Sequence, residues 1–77
     1  MSRSISTIAR DIQSDWAKPY FAAVPYLEAM RILDGIDDKF YYDSADFIVR
    51  YFLANAGQWR GPVAREIKAE LKALLPR

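Results

Sequence analysis

Apolar residues recur along this chain at steps of three and four, the spacing that stacks side chains on one face of a helix. Ile5, Ile8, Ile12 and Trp16 form the first such row, with Asp11, Ser14 and Asp15 lying away from it, which predicts a helix over residues 6–18. Pro19 marks its end, because the residue before a proline is pushed out of the helical region. Tyr26, Ala29, Met30 and Leu33 form a second row behind Pro25, whose missing N–H costs nothing in the first turn of a helix, while Glu28 and Arg31 point outward. Gly35 stands where a left-handed residue would close this helix, with Ile36 supplying the customary hydrophobic contact. A third segment, residues 44–56, is apolar on nearly every side and is broken by the polar row Asp46 and Arg50 at i, i+4. Such a helix belongs at the centre of a bundle. Asp43 or Ser44 is placed to accept hydrogen bonds from the free N–H groups at its start. Pro62 opens the last helix, in which Val63, Ile67, Leu71 and Leu74 make the buried row and Arg65, Lys68 and Lys72 the opposite face.

The remaining segments connect these four helices. Residues 19–24 carry two bulky rings and have room for one helical turn, residues 37–42 form the main loop, and Gln58-Trp59-Arg60-Gly61 reads as a tight turn. A strand over residues 47–53 is the weaker reading, since the segment does not alternate and has no partner strand. The expected fold is therefore all-α, a compact bundle of about four short helices in one domain spanning residues 1–77, with the third helix at its centre and residues 1–4 as a loose tail.

Composition narrows the chemistry. A chain of 77 residues is near the lower end of what folds alone, and small scaffolds usually need disulfides, a metal or association. There is no Cys and no His, which removes disulfides, Cys/His zinc sites and the commonest nucleophiles and general bases. No cofactor and no enzymatic activity are expected. Aromatic residues make up 14% of the chain, and each ring can bury roughly 150–250 Å², so apolar packing or association has to replace the missing staples. Met1-Ser2-Arg3-Ser4 leads into no signal-peptide core, and the mainly apolar stretch 19–27 is far shorter than the roughly 20 residues of a spanning helix. A cytoplasmic protein without a membrane partner is expected.

The net charge of +1 conceals a segregation. Residues 20–46 carry six acids against Arg31 and Lys39, a balance of −4, and residues 47–77 carry six bases against Glu66 and Glu70, a balance of +4. The two halves can attract each other within the fold or steer head-to-tail association. Asp34, Asp37, Asp38, Asp43 and Asp46 do not have the alternating ligands, central Gly and terminal Glu of an EF-hand, so helix capping and a solvated loop account for them better than calcium or a general acid/base pair.

Trp59-Arg60-Gly61 has two readings. Trp59 plugs the bundle end with Arg60 covering it, or the pair anchors a partner, as Trp and Arg commonly do at binding hot spots. Tyr20, Phe21, Tyr41 and Tyr42 lie in connectors, and rings that a small bundle cannot cover would mark an interface. Arg65, Lys68 and Lys72 form a short basic stripe. The third helix, the turn and the fourth helix can also be read as a helix-turn-helix, although Pro62, Val63 and Ala64 offer little for base contact.

Two runs resemble a known family. Trp16-x-x-Pro19-Tyr20-Phe21-x-Ala23-Val24-Pro25-Tyr26-Leu27-x-Ala29-Met30 and Tyr51-Phe52-Leu53-x-Asn55-Ala56-x-x-Trp59-Arg60-Gly61-x-x-Ala64-Arg65-x-Ile67-Lys68-x-Glu70-Leu71 together span most of residues 12–75 and are similar to small helical proteins of bacteriophages, prophages and bacteria, a family with no assigned activity. The resemblance implies a phage or mobile-element accessory protein that binds a host or phage protein, or nucleic acid, in the host cytoplasm. The leading expectation is a non-enzymatic protein-interaction module, with a second copy of itself or a host or phage protein held by Tyr20, Phe21, Tyr41, Tyr42, Trp59 and Arg60. The alternative is a small DNA-binding protein using Arg60, Arg65, Lys68 and Lys72.

Overall fold

The computed structural model of the chain describes residues 3–36, 39–40 and 43–75, with residues 39 and 40 described by their backbone alone. Helix α1 (Ile5–Asp15) and helix α2 (Val24–Met30) are followed by a short strand β1 (Lys39–Phe40), a second short strand β2 (Asp43–Ser44), helix α3 (Ala45–Ala54) and helix α4 (Pro62–Leu74). The strands pair antiparallel, Lys39 opposite Ser44 and Phe40 opposite Asp43. This ladder lies partly in the expected loop; two-residue strands are too short to show a period in sequence. The fold is all-α, as the helical spacing implies.

The apolar row of α1 is fully buried at Ile5, Ile8 and Ile12, with Ala9 beside them. Burying each isoleucine contributes about 1.5–3 kcal/mol. The helix starts where Ser4 accepts a hydrogen bond from the Thr7 amide at 3.2 Å. Two further free amides are met across the fold, where Ile5 N–H donates to the Asp34 carbonyl at 2.9 Å and Ser6 N–H to the Leu33 carbonyl at 2.8 Å. Three of the amides that a helix start leaves open are thus satisfied by protein atoms. Arg3 is tied down as well: its guanidinium grips Glu70 through two bonds of 2.7 and 3.1 Å and also pairs with Asp11. Arg3 and Ser4 therefore do not belong to the loose tail expected over residues 1–4, because each satisfies a helix end or a carboxylate.

Two helix ends differ from expectation. Helix α1 stops at Asp15, three residues short of Lys18, because Trp16 leaves helical torsions (φ −100°, ψ 84°). Its ring packs into the core there instead of continuing the stripe outward. Helix α2 closes by tightening: Ile32 N–H donates to the Ala29 carbonyl and Leu33 N–H to the Met30 carbonyl, both i→i+3. These bonds satisfy the last carbonyls, so Gly35 serves no left-handed cap and among the described residues the positive-φ glycine is Gly61. Gly61 starts α4 at φ 116°, ψ 177°, torsions open essentially to glycine alone.

Helix α2 packs against α3, and α1 contacts both α2 and α4. Helix α1 thus links α2 to α4, and α2 links α1 to α3. Helix α3, expected at its centre, buries Ala45, Ile48, Val49 and Phe52 and turns its other side outward. Ser44 occupies its N-cap position with an extended backbone, yet its side chain makes no capping bond to the helix amides.

Candidate interaction surface

Trp59 illustrates how the core is sealed. Its indole is 3% exposed, stacks on Trp16 at 5.8 Å with the planes 9° apart, and meets Phe52 edge-on at 6.5 Å. Burying an indole leaves its N–H in need of an acceptor. Asp15, the last residue of α1, provides one at 2.7 Å. Lys68 closes the opposite side, donating to the Trp59 carbonyl at 2.6 Å with its Nζ 5.8 Å over the ring. Burial, with Lys72 and Arg60 nearby, pushes the Lys68 ammonium below the ordinary lysine pKa. Trp59 is thus the plug of the bundle end and offers no ring area as a surface anchor, because two aromatic neighbours and two polar ones already occupy its surroundings.

The other expected contact residues separate. Tyr20 is half-buried against the core, and Phe21, meeting it edge-on at 4.9 Å, is 77% exposed. Tyr20 and Arg60 line one shallow groove with Asn55 and Gln58, so two residues forty positions apart share a surface. Tyr41 and Tyr42 lie outside the described residues.

The basic residues divide as well. Lys68 is committed to Trp59, whereas the side chains of Arg60, Arg65 and Lys72 are exposed and make no hydrogen bond or ion pair among the described residues. The pair α3 and α4 departs from a helix-turn-helix. Residues 55–61 make the connection longer than the usual three to four residues, and α4 lies chiefly on α1. At the start of α4, Val63 is partly exposed and Ala64 is buried, which leaves Arg65 as the donor side chain of this turn.

Several carboxylates are held by partners. Asp11 and Glu70 hold Arg3, and that hydrogen bonding keeps the Glu70 carboxyl below the usual glutamate range. The Ser44 hydroxyl, helped by Arg50 at 3.7 Å, holds Asp46 below the usual aspartate range. Among the described residues no group of three or more acids converges on a possible metal position. Asp37 and Asp38 lie outside the described residues.

One surface was not anticipated from the connectors. On the outer side of α3, Phe47 and Tyr51 are 41% and 44% exposed, with ring centres 4.4 Å apart. Tyr26 of α2 stacks on Tyr51 at 5.5 Å. The signal was present in the sequence: Phe47 and Tyr51 are spaced i, i+4 on a row about 100° round the helix from Ile48 and Phe52, so a helical wheel turns them outward once Ala45, Ile48, Val49 and Phe52 face the core. Asp46 and Arg50 border these rings on the next row. No helix among the described residues is long and apolar enough to cross a membrane. Compared with protein-family models, curated proteins and solved structures, the chain matches none of them.

Proposed function

We propose that this protein is a non-enzymatic protein-interaction module, a phage or mobile-element accessory protein acting in the host cytoplasm, which works by covering an aromatic surface with a protein partner. The observation that carries the reading is the ring trio Tyr26, Phe47 and Tyr51, joined through Tyr51 yet open to solvent on two of its members. Aromatic side chains on a rigid helix lose little conformational freedom on docking and release much ordered water, which is why they dominate binding hot spots. Tyr20, Phe21 and Arg60 form a second, smaller surface at the bundle end.

The test is affinity capture from host lysate with the wild-type chain and with Phe47→Ser, Tyr51→Ser. A protein, its own copies included, is retained by the wild type and lost from the double variant. Equal retention by both, or retention of nothing by either, overturns the reading. The exposed, unpaired Arg60, Arg65 and Lys72 favour DNA as the second reading. Phosphate contacts strengthen as salt falls. DNA binding that grows at low salt and disappears in Arg60→Ala, Arg65→Ala would move the function to α4.

A further inference from the structure

We infer that the partner on the outer face of α3 is a second copy of this chain, docked across a two-fold axis that sets the two α3 helices antiparallel. The inference rests on the interaction-module reading and names its partner. An isologous contact has to be complementary to itself, so each feature must find its complement on the same patch. The face has that property. An acid, Asp46, and a base, Arg50, stand one turn apart beside the rings Phe47 and Tyr51, likewise one turn apart. With a rise of about 1.5 Å per residue, a two-fold axis running between the two α3 helices at the level of residues 48 and 49 brings Asp46 of one copy within one residue step of Arg50 of the other, and does so twice. The same operation sets Phe47 against Tyr51 twice.

A partner carrying one dominant charge gains nothing here, because Asp46 and Arg50 cancel, whereas a copy of the same face gains two opposite-charge pairs. A chain of 77 residues without disulfides also has the most to gain from burying more apolar area by association.

The experiment is sedimentation equilibrium from micromolar to millimolar chain, with far-ultraviolet circular dichroism as the control for folding. The wild type is expected to rise with concentration from 8.9 kDa to twice that mass. Asp46→Arg makes the face wholly basic and Arg50→Asp makes it wholly acidic, so each alone raises the dissociation constant about tenfold or more. Mixed in equal amounts, the two variants recover association, since each then meets its complement. A wild type that stays monomeric throughout, a dimer indifferent to both reversals, or a mixture that fails to recover overturns the inference. If the wild type is monomeric while Phe47→Ser, Tyr51→Ser still abolishes capture of another protein, the second-copy inference falls and the module reading stands. If capture is also unaffected, both fall.

Discussion

Two clusters of three rings occupy this small bundle, and they have opposite fates. Trp16, Phe52 and Trp59 meet in the core, where every ring is nearly or fully buried and the indole N–H of Trp59 reaches a carboxylate. Tyr26, Phe47 and Tyr51 meet at the surface, packed as closely against one another yet open to water. Both clusters draw on α3, which contributes Phe52 to one and Phe47 and Tyr51 to the other. Aromatic content therefore says little about role; position on the helix decides it. A ring on the inner side of α3 stabilises the monomer, and a ring on the outer side gains only when something else covers it.

The sharpest way to break the comparison is Trp59→Ala, which removes the plug and is expected to cost about 3–5 kcal/mol. A domain of this size has roughly 4–12 kcal/mol in total, so urea unfolding should show the variant losing about a quarter or more of its stability. Next is Asp15→Ala, which leaves the buried indole N–H without its acceptor at a cost of about 1–3 kcal/mol, measured in the same titration.

The Arg3–Glu70 pair lies in neither cluster and provides a reference for surface contacts, worth about 0.2–1 kcal/mol. Because Arg3 depresses the Glu70 pKa in the folded state, its contribution is present above the unfolded glutamate value of about 4.3 and is lost as pH falls through the folded value. Glu70→Gln should flatten that part of the stability–pH curve and leave neutral-pH stability within about 1 kcal/mol.

The smallest effect belongs to the outer rings: Phe47→Ser or Tyr51→Ser should shift monomer stability by no more than about 0.5 kcal/mol. A loss of several kcal/mol there would mean that the outer cluster is a second core and would erase the contrast.

Much of this arrangement was legible from spacing. The α1 row of Ile5, Ile8 and Ile12 is buried as its period implies, because a helix with one apolar stripe has one way to face a core, and Ile67 and Leu71 of the α4 row are buried with it, whereas Val63 at the start of that row is exposed and Leu74 at its end half-buried. Helix α3 was harder, since with apolar residues all round the period no longer selects a face, and which ring faces outward is decided by the neighbours that cover Ile48 and Phe52. In α2 the short length hid Leu27, which is buried, and favoured Tyr26, which is half-exposed. The destination of Trp59 depends on residues more than forty positions away, Asp15 and Trp16, and local pattern carries no record of such a meeting. For the same reason Arg3 and Ser4 read as a tail: their partners lie in other helices or in the backbone of the turn they begin.

Both tryptophans of the chain belong to the one stack beside Phe52. Indole fluorescence excited at its red edge, where tyrosine is silent, therefore reports on a single interior spot, and the near-parallel rings should give a coupled near-ultraviolet dichroism signal. Docking on the tyrosine-bearing flank ought to leave that optical signature untouched, while any loosening of the bundle end would quench or shift it, so the molecule carries its own internal gauge for telling a bound surface from a melting core.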